Sequence, residues 1–154
     1  MYYPENSQEE QNNPEEQSNI ERSIKHSANW FFVIAILYVA NTLLLLYLGT
    51  NSTFVTGFGA TAVTLVFAQE QGTTATLLLS LVTLVNVAFY IVSGIFGRRR
   101  HRWAFTAGLF VYAIDGLFLI LVQDWYSIAL HCLFLYLIYQ GLNVTSLYNK
   151  LGPR

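Results

Sequence analysis

The chain has 154 residues, of which 54% are hydrophobic and 11% charged, with a net charge of -1 and a positive mean hydropathy. Soluble domains carry about 25% charged residues, so the composition points to a membrane protein, and the near-neutral balance leaves no basic field to hold nucleic acid. The one cysteine, Cys132, allows neither an internal disulfide nor a cysteine zinc site.

Residues 1-18 carry Glu5, Glu9, Glu10, Glu15 and Glu16 among Asn, Gln and proline, with almost nothing apolar after Tyr3. Such a segment has too little to bury against its ordering entropy, and a disordered acidic tail is expected. It lacks the basic start and apolar core of a secretory signal, so no cleavage is expected. Ser18 and Glu21 have capping-box spacing, and Ile20, Ile24 and Ala28 share a helical face. A helix is therefore predicted from about Asn19, at the head of a membrane region covering 19-150.

Four apolar stretches, 30-48, 74-96, 103-122 and 127-147, are each long enough to cross most of a hydrocarbon core roughly 30 Å thick. The segment 54-68, "FVTGFGATAVTLVFA", is apolar but short of the usual span of about 20 residues. Charge placement decides how to read it. Arg22 and Lys25 precede the first span, Arg98, Arg99, Arg100 and Arg102 separate the second from the third, and Lys150 and Arg154 follow the fourth. If 54-68 stays on one side, all of these fall on one face, as the positive-inside rule requires; if it crosses, they are divided. The fold expected is thus all-α, a polytopic four-transmembrane-helix bundle with both termini cytoplasmic and a short re-entrant or interfacial helix between spans 1 and 2. Trp30 and Trp103 then lie at the inner interface and Tyr47, Trp125 and Tyr126 near the outer one, where amphipathic rings prefer to sit.

Small and hydroxyl-bearing residues line the second span (Thr76, Ser80, Thr83, Gly94) and the third (Ala104, Gly108), as close helix packing in lipid favours. Beyond Gly108 on that stripe lies Asp115, a carboxylate inside "VYAIDGLFLILV". An ionised Asp facing lipid costs about 2.5 to 3.5 kcal/mol on insertion scales, so Asp115 should face the bundle or be protonated. With Asn41 on the first span and His131 on the fourth it forms a candidate polar site in the outer half, which Glu70 can approach from the end of the re-entrant segment. Three readings stand: interhelical hydrogen bonds that hold the bundle together, a proton-relay or ligand-orienting site built on Asp115 and His131, and a metal site of His131, Asp115 and Glu70. No HExxH or GxSxG motif is present, no cofactor is implied, and the reading leans away from an enzyme. The loop "FGRRRHRW" supplies Arg98, Arg99, Arg100 and Arg102 as a topology determinant and as candidate contacts for anionic lipid head groups.

"NWFFVIAILYVANTLL", "FVTGFGAT" and "RWAFTAGLFVYAIDGLFLILVQDWYSIALHCLFLYLIYQG" together resemble a family of small uncharacterised bacterial four-span integral membrane proteins, over nearly everything after Ser27. The resemblance implies the fold and a bacterial plasma-membrane or internal-membrane location; it brings no substrate and no cofactor. The function expected is an integral membrane binding or accessory protein, its partners being the lipid bilayer and a partner membrane protein or a second copy of the chain. The alternatives are a small transporter or proton-coupled channel subunit using Asp115 and His131, and an intramembrane metal-dependent enzyme.

Overall fold

The computed structural model describes residues 14-48, 59-61, 73-121, 123 and 125-151. They form four long helices, α1 (Pro14–Leu48), α2 (Thr73–Arg98), α3 (Arg102–Leu121) and α4 (Trp125–Leu151), together with one helical turn at 59-61. All four are long and apolar enough to cross a membrane, so the protein is an all-α membrane bundle.

The helices run up and down in sequence order. Along α1, Ala28, Phe32, Phe31, Tyr38 and Thr42 meet Gly97, Gly94, Tyr90, Tyr90 and Thr83 of α2, so α1 and α2 are antiparallel neighbours. On α3, Phe105, Tyr112 and Asp115 meet Gly141, Phe134 and His131, which sets α4 antiparallel to α3. Each helix packs on its neighbour in the chain, and α1 closes the ring against α4. Because α1 and α2 are antiparallel, Leu48 and Thr73 lie at the same end of the bundle, and the described turn at 59-61 lies against Asp115. Asp115 is six residues inside the α3 terminus Leu121, about 9 Å at helical rise.

The core is aromatic and layered. Phe31, Phe105, Tyr90, Tyr38 and Tyr112 are all essentially inaccessible, with Phe31–Tyr90 and Tyr38–Tyr90 stacked and Tyr90–Tyr112 edge to face. Rings of this size fit between helices only because small residues face them. A Cβ on Gly94 would come within 2.7 Å of the Phe32 ring. One on Gly108 would overlap Phe31, and one on Gly141 would overlap Phe105. The outward surface is correspondingly apolar, with Ile36, Leu77, Leu84, Phe110, Leu117 and Leu121 among the exposed side chains. A helix that is apolar all round is expected where lipid replaces water.

Two features differ from the sequence reading. The first helix begins at Pro14, not near Asn19, so Ser18 lies inside it and is no cap, and 14-18 belong to the helix, not to a disordered tail. Proline is favoured at a first helical position because its missing N–H is one that would have no partner there. Glu15 and Glu16 follow in the first turn, where the helix dipole favours negative charge. The fourth helix likewise runs beyond 127-147 at both ends, to Trp125 and Leu151.

All the described lysines and arginines sit at one end, where the start of α1, the α2–α3 turn and the close of α4 meet. Arg98 donates two hydrogen bonds to Asn29 Oδ1, at 3.0 and 2.7 Å, and lies over the Phe32 ring. Arg100 adopts a left-handed backbone with φ of 68°, pairs with Glu21 at 2.8 Å and hydrogen-bonds the Tyr148 hydroxyl. One side chain from the turn therefore clasps α1 and α4 together. Strain at that φ, of order 1 kcal/mol or more for a non-glycine residue, is held in place by those contacts.

Candidate functional site: a buried Asp–His pair

Asp115 and His131 come together in the core, 4% and 2% exposed. α3 presents Asp115 one turn beyond Tyr112, and α4 presents His131 one turn beyond Ser127. Four groups reach the carboxylate. Oδ1 accepts from the Tyr38 hydroxyl at 2.8 Å and from the Ala60 N–H at 2.8 Å. Oδ2 accepts from the Gly59 N–H at 3.1 Å and faces His131 Nε2 at 2.9 Å. The carboxylate thus joins α1, the 59-61 turn, α3 and α4 through one side chain.

The protonation of the pair follows from which partners can only donate or only accept. Backbone N–H groups only donate, so both carboxylate oxygens are committed as acceptors. His131 Nδ1 lies 3.2 Å from the Ser127 carbonyl, which only accepts, so Nδ1 carries a proton. With Nδ1 donating to that carbonyl, one proton in the Nε2···Oδ2 contact makes the pair neutral whether it rests on nitrogen or on oxygen. A neutral, fully bonded pair can be buried in a bilayer where a lone carboxylate is costly. Tyr112 stacks on the imidazole, centroids 4.3 Å apart and planes within 6°, which fixes the ring's orientation. Gly116 brings the α3 backbone close to the same ring, since a Cβ there would sit 3.4 Å from His131 Cδ2.

Gly59 explains why the turn can approach at all. A Cβ at this position would overlap the Asp115 carbonyl oxygen and lie 2.7 Å from Phe118 Cβ. Only glycine lets the Gly59 and Ala60 amides reach the carboxylate from above the α3 backbone.

Of the other residues singled out in the sequence, Asn41 is buried at 5% exposure on the Tyr38 face of α1, but neither its Oδ1 nor its Nδ2 has a hydrogen-bond partner among the described residues. It does not join the Asp115 cluster. Its neighbour Thr42 bonds instead to Thr83 of α2 at 2.7 Å. Glu70 lies outside the described residues. The arginines divide: Arg98 and Arg100 are engaged within the protein as above, Arg99 lies over Phe96, and Arg102 is exposed. Among the described residues no three His, Cys, Asp or Glu side chains converge as a metal site requires.

Sequence reasoning paired Asp115 with His131 and missed Tyr38 and the two backbone donors. A tyrosine in an apolar helix reads as packing, although Tyr38 lies three residues from Asn41 on the same face and so carried a usable signal. The amides of Gly59 and Ala60 have no side-chain signature; the only hint was a glycine-rich "TGFGAT" in an otherwise apolar segment. Comparison with protein-family models, with curated proteins and with solved structures finds no match to this chain.

Proposed function

We propose that the chain is an integral membrane binding or accessory protein of a bacterial plasma or internal membrane, in which the Asp115–His131 pair is an internal latch. The latch fastens the 59-61 turn to the bundle and so fixes the surface that the protein offers to lipid and to a partner membrane protein or second copy. The observation that carries this reading is the commitment of Asp115: both oxygens are bonded, to three donors and to His131, all of them within the protein. Groups used up in this way hold a fold; groups that handle a substrate keep an open position. The positive-inside rule supports an orientation with the arginine end and both termini cytoplasmic, and the sequence resemblance supports the bacterial membrane.

A second reading is favoured by one observation, the 2.9 Å contact between His131 Nε2 and Asp115 Oδ2 inside the membrane-spanning bundle. A neutral Asp–His pair inside a membrane is also the chemical unit of a proton relay, as a small proton-coupled transporter or channel subunit would need. Reconstitution separates the two. In liposomes with an entrapped pH dye, the latch reading predicts proton flux no greater than in empty liposomes, and an Asp115→Asn variant that loses thermal stability. Flux in the wild type that Asp115→Asn abolishes at unchanged melting temperature would overturn the latch and establish the relay.

A further inference from the structure

Between α1 and α4 at the arginine end lies an open groove of about 740 Å³, lined by Asn19, Arg22, Ser23 and His26 on one side and Gln140 and Asn143 on the other, with Ser27 and Val144 as its floor. We infer that this groove binds a phosphate-bearing anion, foremost the head group of an anionic phospholipid. The inference does not rest on the Asp115 latch, which lies several helical turns away and shares no residue with the groove.

Three observations support it. The first is the chemistry of the walls. One guanidinium, one imidazole and the amides of Asn19, Gln140 and Asn143 are donors suited to phosphate oxygens, and among the described residues no carboxylate lines the groove. Glu15 lines only the smaller recess that adjoins it through Asn19 and Arg22.

The second is availability. Arg98 is spent on Asn29 and Arg100 on Glu21 and Tyr148, whereas Arg22 forms no ion pair among the described residues and is exposed. The arginines that the sequence offered first for lipid are therefore in part structural, and Arg22 is the cation left facing an opening.

The third is level. One turn along α1 from His26, Trp30 meets the His26 ring edge to face, centroids 6.2 Å apart, and packs on Phe134 of α4 at 5.8 Å. Tryptophan marks the boundary between hydrocarbon and head groups. The groove sits just beyond that boundary, at head-group height, and beyond Trp30 the apolar surfaces of α1 and α4 continue in the direction acyl chains would take.

The test uses the full chain in phosphatidylcholine nanodiscs doped with phosphatidylglycerol, with lipid retained on the extracted protein read by native mass spectrometry. The wild type should retain phosphatidylglycerol in excess of its share of the bilayer. Arg22→Gln should lower that retention roughly fivefold, the size expected for one basic residue near a membrane surface, at unchanged melting temperature. Arg99→Gln, an exposed arginine at the same end outside the groove, should lower it clearly less than Arg22→Gln does. Inorganic phosphate added to the same sample distinguishes the source of the anion: displacement of the lipid identifies free phosphate as a ligand of the groove, and retention identifies the lipid. Wild-type retention no greater than the bilayer share, retention unaffected by Arg22→Gln, or an equal loss with Arg99→Gln would each overturn the proposal.

Discussion

At the scale of single residues, the arrangement is decided by Asp115. Truncation to alanine removes the carboxylate to which the Tyr38 hydroxyl, the Gly59 and Ala60 amides and His131 bond, and each buried group that loses such a partner costs about 1 to 3 kcal/mol. Asp115→Asn keeps the shape and one acceptor oxygen but turns an N–H₂ group toward a backbone N–H, for a loss of about 1 to 3 kcal/mol. Unfolding in detergent should therefore rank wild type above Asn above Ala; equal stability of Asn and Ala would show that the hydrogen bonds to the amides contribute nothing. Much of this site was legible beforehand, because a carboxylate in an apolar run must be satisfied and His131 was the ionisable side chain within reach. Asn41 was equally visible and bonds to none of the cluster. Depth along a helix can be read from residue number, but which way a side chain points also depends on how the helices rotate against one another.

At the scale of elements, the α1–α2 connection is the informative case. Its apolar length left open whether it crosses, and the one-sided placement of Lys and Arg argued that it does not. The antiparallel pairing of α1 with α2, from Ala28–Gly97 to Thr42–Thr83, puts Leu48 and Thr73 at the same end of the bundle. What pins its turn at 59-61 could not be read from the sequence, since the donors are backbone amides. Gly59→Ala should separate the turn from α3, because the added methyl meets the Asp115 carbonyl, and hydrogen exchange at the Ala60 amide should quicken at least tenfold while the α1–α2 pairing is kept. Unchanged exchange would mean that the turn is held by something other than Asp115. The start of α1 shows a different limit. Glu15 and Glu16 read as solvated tail charges by composition, but directly after a proline at a helix start they suit the positive end of the dipole. Composition ignores position, and that is why the boundary was misplaced.

At the scale of the whole molecule, fold class followed from composition and from the four apolar stretches, because a bilayer leaves a segment of that length few conformations other than a helix. The gathering of every described lysine and arginine at one end gives the proposed orientation a direct check. In a background with Cys132 replaced by serine, single cysteines at Asn51 and Gln71 should react with an impermeant maleimide from the same, outer side of intact cells, while one at Arg99 should react only after permeabilisation; Asn51 and Gln71 labelling from opposite sides would contradict it. The central claim is that Asp115 and His131 act as one unit that holds the bundle closed. It is tested most directly by a double-mutant cycle on global unfolding, with Asp115→Asn, His131→Ala and the combination. Coupling between side chains inside membranes averages about 0.6 kcal/mol and rarely exceeds about 1.7. A neutral pair sharing one proton and stacked under Tyr112 should reach or exceed the upper figure, whereas additive losses with a coupling near zero would contradict it.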